Sequence, residues 1–532
     1  MLRLRRMVGT MLWQGRGGAV RRSMGAVAVD RVRVAEVEEA AEAGWLAGGT
    51  GYARVPEGHA VHDAGSFTAA FGGFEKEAMP NEPVVLRGRV VAKRSASKSL
   101  YFVDVASGYE REAAVQVMAT AKAFDGPKQA FRGAMEVLAR GDCVAVTGVP
   151  SRTQRGQLAL IPSEVRVEAP CVTAEALPEP GSMRRAESLA AMPRAGQLLL
   201  QPHIVKAVRV RARMLQRLRR VLDGDGFVEV ETPILGAAAG GATARPFVTF
   251  HEATKREKVL RIAPELYLKQ LVVGGLDSVY EVGKVFRNEG VDPTHLPEFS
   301  MAELYTTRLG LDKLMTLTED MVRGFAADAA ALDAAGGSEC AGEVAASEPF
   351  GRVEFMEALN AGLGFDLDLE LPTDELRKVL REAAVACEAV SKNVADGMTA
   401  SALLDKLGGV HVEAGLAGPM FVTGHPLLLS PLAKEREDAP GVADRFELFL
   451  GPVEVANGYN EINNPLEQLV RFEGQTETGV SADPEVPAPD EAYCNALAYG
   501  MPNTVGLGLG LDRLVMLLTG ATSLRDVVGF VP

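Results

Sequence analysis

The chain has 532 residues, of which 47% are hydrophobic and 24% charged, a composition typical of a globular protein with two or three domains. Its net charge of −14 excludes a protein that binds nucleic acid non-specifically over its whole surface, while a local basic surface remains compatible with RNA binding. No apolar run approaches the roughly 18 residues of a membrane span, and the five cysteines show no zinc-site spacing.

The first 29 residues differ in composition from the rest of the chain. They contain six arginines between Arg3 and Arg22 and no acidic residue. Arginines spaced among apolar residues are typical of an amphipathic transit peptide, so we expect import into an organelle. A mitochondrial location is the first expectation and a plastid the alternative. Met24 would supply an internal start for a second, cytoplasmic form, and a tail without a targeting role is the simplest alternative.

Residues 30–83 are predicted to form a lead-in, with one helix over Val34–Ala43 and irregular chain from Gly58 to Pro80. In residues 84–170 the apolar pattern repeats every second residue, which predicts five short strands, with a helix over Ala121–Arg140 between the third and fourth. This order is that of an OB-fold β-barrel, which binds single-stranded nucleic acid. The predicted strands are Val84–Arg94, Ser99–Val105, Ala113–Met118, Asp142–Pro150 and Leu158–Glu168.

Aromatic and basic residues of the predicted barrel would form a nucleic-acid surface. Tyr101 and Phe102 would act as stacking platforms for bases. The basic residues expected at its rim are Arg87, Arg89, Lys93, Arg94 and Lys98. Alternating Val and Arg also occurs on any half-exposed strand, so the pattern by itself leaves that alternative open.

Residues 171–200 are predicted to be a linker because of their prolines, and residues 201–532 a second domain of the α+β class. This domain begins with a long helix near Ile204–Asp223. Short turns between several of its strands favour an antiparallel sheet flanked by helices. The Ala- and Gly-rich residues 324–349 are interpreted as a surface insertion or the loose end of a helix.

Two polar segments of this domain combine charged and aromatic residues within apolar strands. Glu265 follows Arg261 in a strand-like setting, where its carboxylate needs a partner such as a cationic amine. A strand, loop and return strand then follow from Phe286 to Tyr305. On the first strand Arg287 shares a face with Glu289 and would clamp a phosphate or carboxylate. The loop carries His295, and the return strand places Phe299, Met301, Glu303 and Tyr305 on one face.

Two further segments complete the candidate site. Glu447 and Glu454 are joined through a Gly451-Pro452 turn, so the two carboxylates would face each other across a hairpin and hold Mg²⁺ on a triphosphate. Alternating Gly and Leu over Gly506–Gly510 would let a strand approach something flat, and Arg513 at the start of the next helix would stack on a base or bind a phosphate. Together the four segments hold what ATP, its metal ion and a cationic substrate require.

These residues resemble the three motifs of class II aminoacyl-tRNA synthetases. Gly226–Pro233 resembles motif 1, the dimer element, while Phe286–Tyr305 resembles motif 2 and Gly506–Arg513 motif 3. Within the class the chain is similar to lysyl-tRNA synthetases from about Val84 to Pro532. The segments that carry this closer resemblance are Gly240–Phe247, Arg261–Gly275, Ser430–Lys434, Asp444–Phe449 and Ala456–Gly458.

The resemblance implies activation of L-lysine by ATP, transfer of lysine to tRNA(Lys), and assembly as a homodimer. Arg287 and Arg513 would be the catalytic residues, with Arg287 on the α-phosphate and on the lysine carboxylate. Phe299 would stack on adenine opposite Arg513, and Glu289 and His295 would contact ATP. Leu296 departs from the Asn that the family usually has after this His.

The resemblance also implies a lysine pocket and an anticodon surface. Glu265 would bind the α-amino group of lysine, while Glu461 and Tyr305 would bind its ε-ammonium. Arg94 and Phe102 would contact the anticodon. The other pocket residues implied are Gly241, Glu303, Asn457 and Tyr459.

Two other readings are compatible with parts of this pattern. Aspartyl- and asparaginyl-tRNA synthetases share the architecture but need a cationic pocket, whereas this chain offers Glu265, Glu303 and Glu461. A non-catalytic tRNA-binding paralogue would be expected to have lost Arg287 or Arg513, and both are present.

Overall fold

A computed structural model describes residues 30–43, 55–108, 113–173, 177–178, 189, 192–238, 240–242, 244–332, 337–477 and 490–532. The predicted transit peptide and part of the predicted linker lie outside these residues. The chain divides into two compact units, residues 1–202 and 203–532. Among the described helices, none combines the length and the apolar character needed to cross a membrane.

The N-terminal unit is built on a six-stranded sheet in the order β1-β2-β3-β4-β6-β5. Strand β2 pairs with β5 through its first half and with β3 through its second half, so β2 to β6 close into a ring. The strands are β1 Val61–His62, β2 Val84–Ser97, β3 Leu100–Ala106, β4 Val115–Thr120, β5 Cys143–Arg152 and β6 Leu158–Ala169. The helices are α1 Arg31–Glu42, α2 Ala64–Phe71, α3 Lys128–Val137 and α4 Arg194–Leu200.

The predicted lead-in is an integral part of this unit. Val37 of α1 and Phe67 and Phe71 of α2 are buried in the same apolar core as the strands. Irregular chain from Gly58 to Pro80 was therefore the wrong expectation, because this stretch forms β1 and α2, whose Phe67 and Phe71 are buried in the core. The helix predicted over Val34–Ala43 is confirmed, and α3, between the third and fourth strands of the ring, is shorter than predicted.

The C-terminal unit holds an eight-stranded sheet in the order β13-β14-β17-β18-β19-β12-β11-β7. Its six central strands pair antiparallel, and only the edge strands β13 and β7 pair parallel with their neighbours. The strands of this sheet are β7 Val228–Glu229, β11 Ser278–Phe286, β12 Glu298–Thr306, β13 Gly351–Glu354, β14 Pro419–Thr423, β17 Arg445–Leu450, β18 Val453–Asn460 and β19 Val505–Gly510. The predicted α+β class with a central antiparallel sheet is confirmed.

Smaller strands and helices surround this sheet. The remaining strands are β8 Leu235–Gly236, β9 Val248–His251, β10 Arg256–Leu260, β15 Glu435–Arg436 and β16 Ala439–Ala443. The helices are α5 Pro202–Gly224, α6 Glu265–Val273, α7 Leu311–Ala331, α8 Glu339–Ala346, α9 Phe355–Leu363, α10 Thr373–Ala386, α11 Lys392–Ala395, α12 Ala400–His411, α13 Pro465–Glu477, α14 Glu491–Leu497 and α15 Leu511–Thr519.

The Ala- and Gly-rich segment 324–349 begins as the end of helix α7 and includes α8, so the expectation of a helix end is confirmed for its first part and that of a surface insertion is wrong. Phe325 and Ala329 of α7 and Ala341 and Val344 of α8 are buried in the main apolar cluster, while residues 333–336 lie outside the description. Small side chains here let two helices and the sheet approach closely, so the low complexity reflects close packing.

Candidate active site

Three neighbouring strands form the floor of a cavity of about 540 Å³, a size suited to a small-molecule ligand. Tyr305 of β12 lies opposite Gly506 of β19, and Tyr459 of β18 lies on the other side of the same glycine. Glu303 and Asn457 flank Gly508 in the same way. The predicted residues that line the cavity are Gly241, Glu265, Arg287, Glu289, His295, Phe299, Glu303, Tyr305, Glu447, Glu454, Asn457, Tyr459 and Arg513.

Two glycines keep this cavity open. A Cβ on Gly506 would overlap the Tyr305 ring and the Glu461 carboxylate. Gly241 has a φ of +84°, and a Cβ there would lie 2.9 Å from the Cβ of Glu265. Because Gly and Leu alternate along β19, its glycines face the cavity, and Leu507 and Leu509 are buried in the core.

Arg287 and Phe299 stand together at one end of the cavity. The Arg287 guanidinium carbon lies 5.2 Å from the centroid of the Phe299 ring, and its Nε donates to the Ile262 carbonyl. Both Arg287 and Glu289 follow the end of β11, so the loop, rather than the predicted strand, carries them. Burial lowers the pKa of Arg287, and the carboxylates of Glu289 and Glu454 oppose this effect.

Arg513 is held by groups from two other segments. Its Nη1 donates to the Glu454 carbonyl at 3.0 Å, and its Nη2 lies 3.0 Å from His295 Nε2. Because arginine only donates, His295 Nε2 accepts and its Nδ1–H donates to Asp292, 2.8 Å away. Backbone and side-chain donation from Thr294 lowers the pKa of Asp292 to about 2. The neighbouring Leu296 is buried and joins both the cavity wall and the core.

Glu447 and Glu454 both line the cavity, but they are not directly opposite each other. The β17–β18 hairpin turns at Gly451, as predicted, while an irregularity after Leu448 pairs Glu447 with Asn457 and Glu454 with Phe449. Burial raises the pKa of Glu447, but its ion pair with Arg445 and the His425 Nε2–H at 3.1 Å outweigh burial and hold that pKa at about 2. Burial and the charge of Glu447 raise the pKa of Glu454.

Glu265 is the first residue of helix α6, which corrects the predicted strand-like setting. One helical turn later, Lys269 Nζ lies 2.5 Å from Glu265 Oε1, so the expected cationic partner is within the same helix. Tyr459 Oη donates to the same carboxylate oxygen at 2.8 Å. The side chain of Lys269 is fully buried and also pairs with Glu461.

Glu461 lies behind the cavity wall, whereas Glu303 lies on it. The Glu461 side chain is fully buried at the end of β18, with Oε2 paired to Lys269 and Oε1 next to Gly506. Tyr305 Oη donates to Glu303 Oε2 at 3.0 Å. Burial and the charge of Glu265 raise the pKa of Glu303 to about 8. Burial also raises the pKa of Glu461 well above its usual value, against the opposing charge of Lys269.

The predicted nucleic-acid surface of the N-terminal unit divides into paired and exposed residues. Arg94 lies opposite Phe102 in the β2–β3 register, and its side chain is 52% exposed although it forms an ion pair with Asp104 at 3.4 Å. Tyr101 is buried against Phe131 in the core, so it cannot act as a platform. Arg87 pairs with Glu168, Arg89 donates to the Gly141 carbonyl, and Lys93 donates to the last carbonyls of α3.

Three functional side chains were missed in the sequence: Lys269, His425 and Arg445. Lys269 follows Glu265 by four residues, a helical pairing that the strand interpretation concealed. Arg445 and His425 hold Glu447, and Arg445 also donates to Asn457 at 3.0 Å. Arg445 shares its strand face with Glu447 two residues on, a signal that was available, whereas His425 comes from another segment and gave none.

Comparison with known proteins gives consistent matches. A family model described as tRNA synthetases class II (D, K and N) matches residues 189–532. The protein of Cladosporium cladosporioides named lysine–tRNA ligase cla4 is 37% identical over 491 residues, covering 88% of this chain and 79% of that protein. A lysine–tRNA ligase of Shouchella clausii is 36% identical over 477 residues, covering 88% and 90%. A protein of Encephalitozoon cuniculi, whose name places it in the cytoplasm, is 38% identical over 456 residues, covering 83% and 86%.

Proposed function

The chain belongs to the class II tRNA synthetases for aspartate, lysine and asparagine, and from this premise we propose how its site acts. Relatives over most of its length are lysine–tRNA ligases, so the chain is a lysine–tRNA ligase that uses ATP. The single observation that carries the choice of lysine is the cavity wall, where Glu265 and Glu303 offer carboxylates to a cationic substrate.

The proposed reaction has two steps. The lysine carboxylate attacks the α-phosphorus of ATP in line, pyrophosphate leaves with the bonding electron pair, and lysyl-adenylate forms. Arg287 neutralises charge at the α-phosphate, while Arg513 and Phe299 bracket the adenine. A hydroxyl of the 3′-terminal ribose of tRNA(Lys) then attacks the carbonyl carbon of lysyl-adenylate, AMP leaves with the bonding electron pair, and the hydroxyl proton passes to AMP or solvent. Positioning and charge neutralisation supply the catalysis, and no protein nucleophile is required.

Glu289 and His295 would contact ATP near this point. His295 is oriented for the role because Asp292 accepts from its Nδ1, which leaves Nε2 as an acceptor toward Arg513. Loss of the hydrogen bond between His295 and Arg513 would free the guanidinium of Arg513 to turn away from the adenine.

Glu447 and Glu454 would hold Mg²⁺. Their carboxylate oxygens are the ligands that this hard cation prefers, and Glu447 remains ionised at every physiological pH. The raised pKa of Glu454 beside the charged Glu447 marks a place where a cation relieves repulsion. When bound, the ion neutralises charge on the triphosphate.

The lysine pocket would distinguish its substrate by charge. Glu265 would take the α-amino group, with Tyr459 holding the carboxylate in place, and Gly241 leaves room for it. Glu461 and Tyr305 would take the ε-ammonium, with Glu303 and Asn457 beside them. A neutral side chain would leave the oxygens that face the cavity without a cationic partner, which costs far more than a poor apolar fit.

The test is amino-acid-dependent ATP–pyrophosphate exchange by the full-length chain, beside Glu461→Gln. We expect exchange with lysine, none with aspartate or asparagine, and a large loss in the variant. Exchange with aspartate or asparagine would contradict the lysine pocket. A folded protein without exchange for any amino acid would favour a non-catalytic tRNA-binding paralogue.

We also propose that residues 84–170 form an OB fold that contacts the anticodon through Arg94 and Phe102. The closed ring of five strands with α3 between the third and fourth supports this proposal. Phe102→Ala should weaken aminoacylation of tRNA(Lys) without changing pyrophosphate exchange, because only the first measurement depends on the anticodon. Equal losses in both measurements would contradict it.

A mitochondrial location is proposed from the arginines of residues 1–29. A full-length chain with a C-terminal fluorescent tag should enter mitochondria and lose its N-terminus, whereas a chain that starts at Met24 should remain cytoplasmic. Entry into plastids would support the alternative organelle. A full-length chain that stays cytoplasmic with Met1 intact would contradict the transit peptide.

A further inference from the structure

Lys269 has no part in the proposed reaction, yet it lies at the back of the lysine pocket. Its side chain is fully buried, with Nζ 2.5 Å from Glu265 Oε1 and ion-paired with Glu461. Burial of an ammonium group is costly, so a lysine in this place needs a reason beyond filling space. The titratable groups around it are Glu265 on its own helix, Glu303 and Tyr305 of β12, Tyr459 of β18, Glu461 after β18, and Tyr493 of α14.

Aromatic rings fix the position of this ammonium group. The ring centroids of Tyr305, Tyr459 and Tyr493 lie 5.8, 5.5 and 5.9 Å from Lys269 Nζ. Such faces attract a desolvated cation and leave it little freedom to move. Lys269 therefore joins two carboxylates from different segments, one from the start of α6 and one from the end of β18.

The two oxygens of Glu461 have different surroundings. Oε2 is paired with Lys269, while Oε1 accepts no hydrogen bond from the described residues. Oε1 lies where a Cβ on Gly506 would be, and Gly506 lines the cavity. The oxygen that Lys269 leaves unused is thus the one nearest to the cavity.

Charge in the pocket points to the same role. Glu265, Glu303 and Glu461 carry three negative charges when ionised, and Lys269 carries one positive charge. Because Glu303 keeps its proton up to a pKa of about 8, Glu265 and Glu461 are the two carboxylates whose charge Lys269 offsets. Without Lys269 the pocket would hold three close carboxylates, and such groups retain a proton rather than ionise together.

We infer that Lys269 is a positioning residue for amino-acid selection, an internal cation that offsets the charge of Glu265 and Glu461 and turns one oxygen of each toward the substrate. The inference rests on the proposed lysine pocket. It assigns the selection of a dicationic amino acid to a lysine of the protein as well as to the carboxylates that touch the substrate.

The test uses Lys269→Met, which keeps the length of the side chain and removes its charge, in the full-length chain. At pH 7 we expect the KM for lysine in pyrophosphate exchange to rise roughly 30-fold or more, with a smaller change in kcat and in the KM for ATP. The ratio of variant to wild-type KM should fall by about tenfold per pH unit as pH rises from 7, because lysine must displace a proton shared by the two carboxylates. Tyr493→Phe, which keeps the ring, should leave the KM near that of the wild type.

Folding is controlled with thermal melting and with a second variant, Lys269→Met with Glu461→Gln. With both charges removed, the two side chains no longer share a proton that lysine must displace. The ratio of variant to wild-type KM for lysine should therefore not depend on pH in this double variant, which should also discriminate poorly between lysine and norleucine. An unchanged KM in Lys269→Met, or a KM ratio that is equal at every pH, would overturn the inference. Wild-type chain without lysine-dependent exchange would instead overturn the proposed pocket.

Discussion

Single residues of the pocket depend on neighbours that come from distant parts of the chain. Gly506 is an example, since its missing side chain makes room for Tyr305 of β12 and Glu461 of β18. Glu303 is another, because Glu265 on helix α6 raises its pKa through space. Substitutions at these positions therefore test the arrangement as well as the residue.

Gly506→Ala should raise the KM for lysine strongly, by roughly 100-fold, because a methyl group would displace the Tyr305 ring and the Glu461 carboxylate. The KM for ATP, measured with saturating lysine, should change less. Gly510→Ala on the same strand is the matched control, because its Cβ would meet neighbours at ordinary distances of 3.6 Å or more. Similar KM values for the two variants would contradict the idea that Gly506 shapes the floor.

The raised pKa of Glu303 should appear in the pH dependence of the stability of the protein. Its folded pKa of about 8 exceeds the unfolded value of 4.5, so the folded state holds a proton that the unfolded state releases. The free energy of unfolding of the wild type should therefore fall as pH rises from 4.5 to 8, and Glu303→Gln should lack this part of the pH dependence. Thermal melting at pH 5 to 8.5 measures it, with the half-exposed Glu298→Gln of the same strand as control. A constant difference in melting temperature between wild type and Glu303→Gln would contradict the raised pKa.

At the scale of elements, short segments bring several site residues into position at once. Strand β19 passes directly into α15, so the glycine floor and Arg513 are joined by Asp512. Asp512 Oδ2 accepts the Ser300 N–H at 3.0 Å, and the same carboxylate pairs with Arg211 of α5. One buried carboxylate thus connects α5, β12 and α15.

Asp512→Asn should destabilise the protein by roughly 3–5 kcal/mol, because Arg211 would be left as a buried cation without its partner. Pyrophosphate exchange should fall as well, since Arg513 follows in the chain. Urea unfolding measures the first effect. Asp312→Asn, which breaks the exposed pair with Arg352, should cause no measurable change. Equal unfolding midpoints for the two variants would count against the buried pair.

For the whole molecule, exposed apolar residues predict how two copies meet. Val228, Ile234, Leu235, Val248 and Phe250 lie on short strands or their flanks and are 45–60% exposed. Exposed apolar residues on neighbouring stretches of chain are typical of a subunit interface. Val228 lies within the segment that resembles motif 1, and the other four residues follow that segment. Their position supports the homodimer that the resemblance implies.

Leu235→Asp with Phe250→Asp should convert the dimer to a monomer and abolish lysine-dependent exchange, because two charges in an apolar interface are costly to bury. Sedimentation velocity at micromolar concentration measures the change. Val410→Asp, a substitution at another exposed apolar residue of the same unit, should remain dimeric. A monomeric wild type would contradict the proposal directly.

Local patterns in the sequence were enough to predict many of the strands and most of the residues that line the cavity. The strands from Val84 to Glu168, the antiparallel sheet and the glycine strand could be predicted because local alternation records which face is buried. Arg287, Glu303 and Arg513 were identified as candidates because they are polar residues in apolar segments, and Phe299 because its ring lies on the same strand face as Glu303.

The tertiary structure decided which of these residues face one another. Helix α6 could not be distinguished from a strand in a short apolar run, so the Glu265–Lys269 pair was hidden. Helix α2 lies in a stretch expected to be irregular, and residues 324–349 were expected to be a surface insertion or the end of a helix. Packing against the sheets shows that both contribute to the core. Lys269 and Glu461 come together through space from distant segments, as do His425 and Glu447, and no local pattern encodes such contacts.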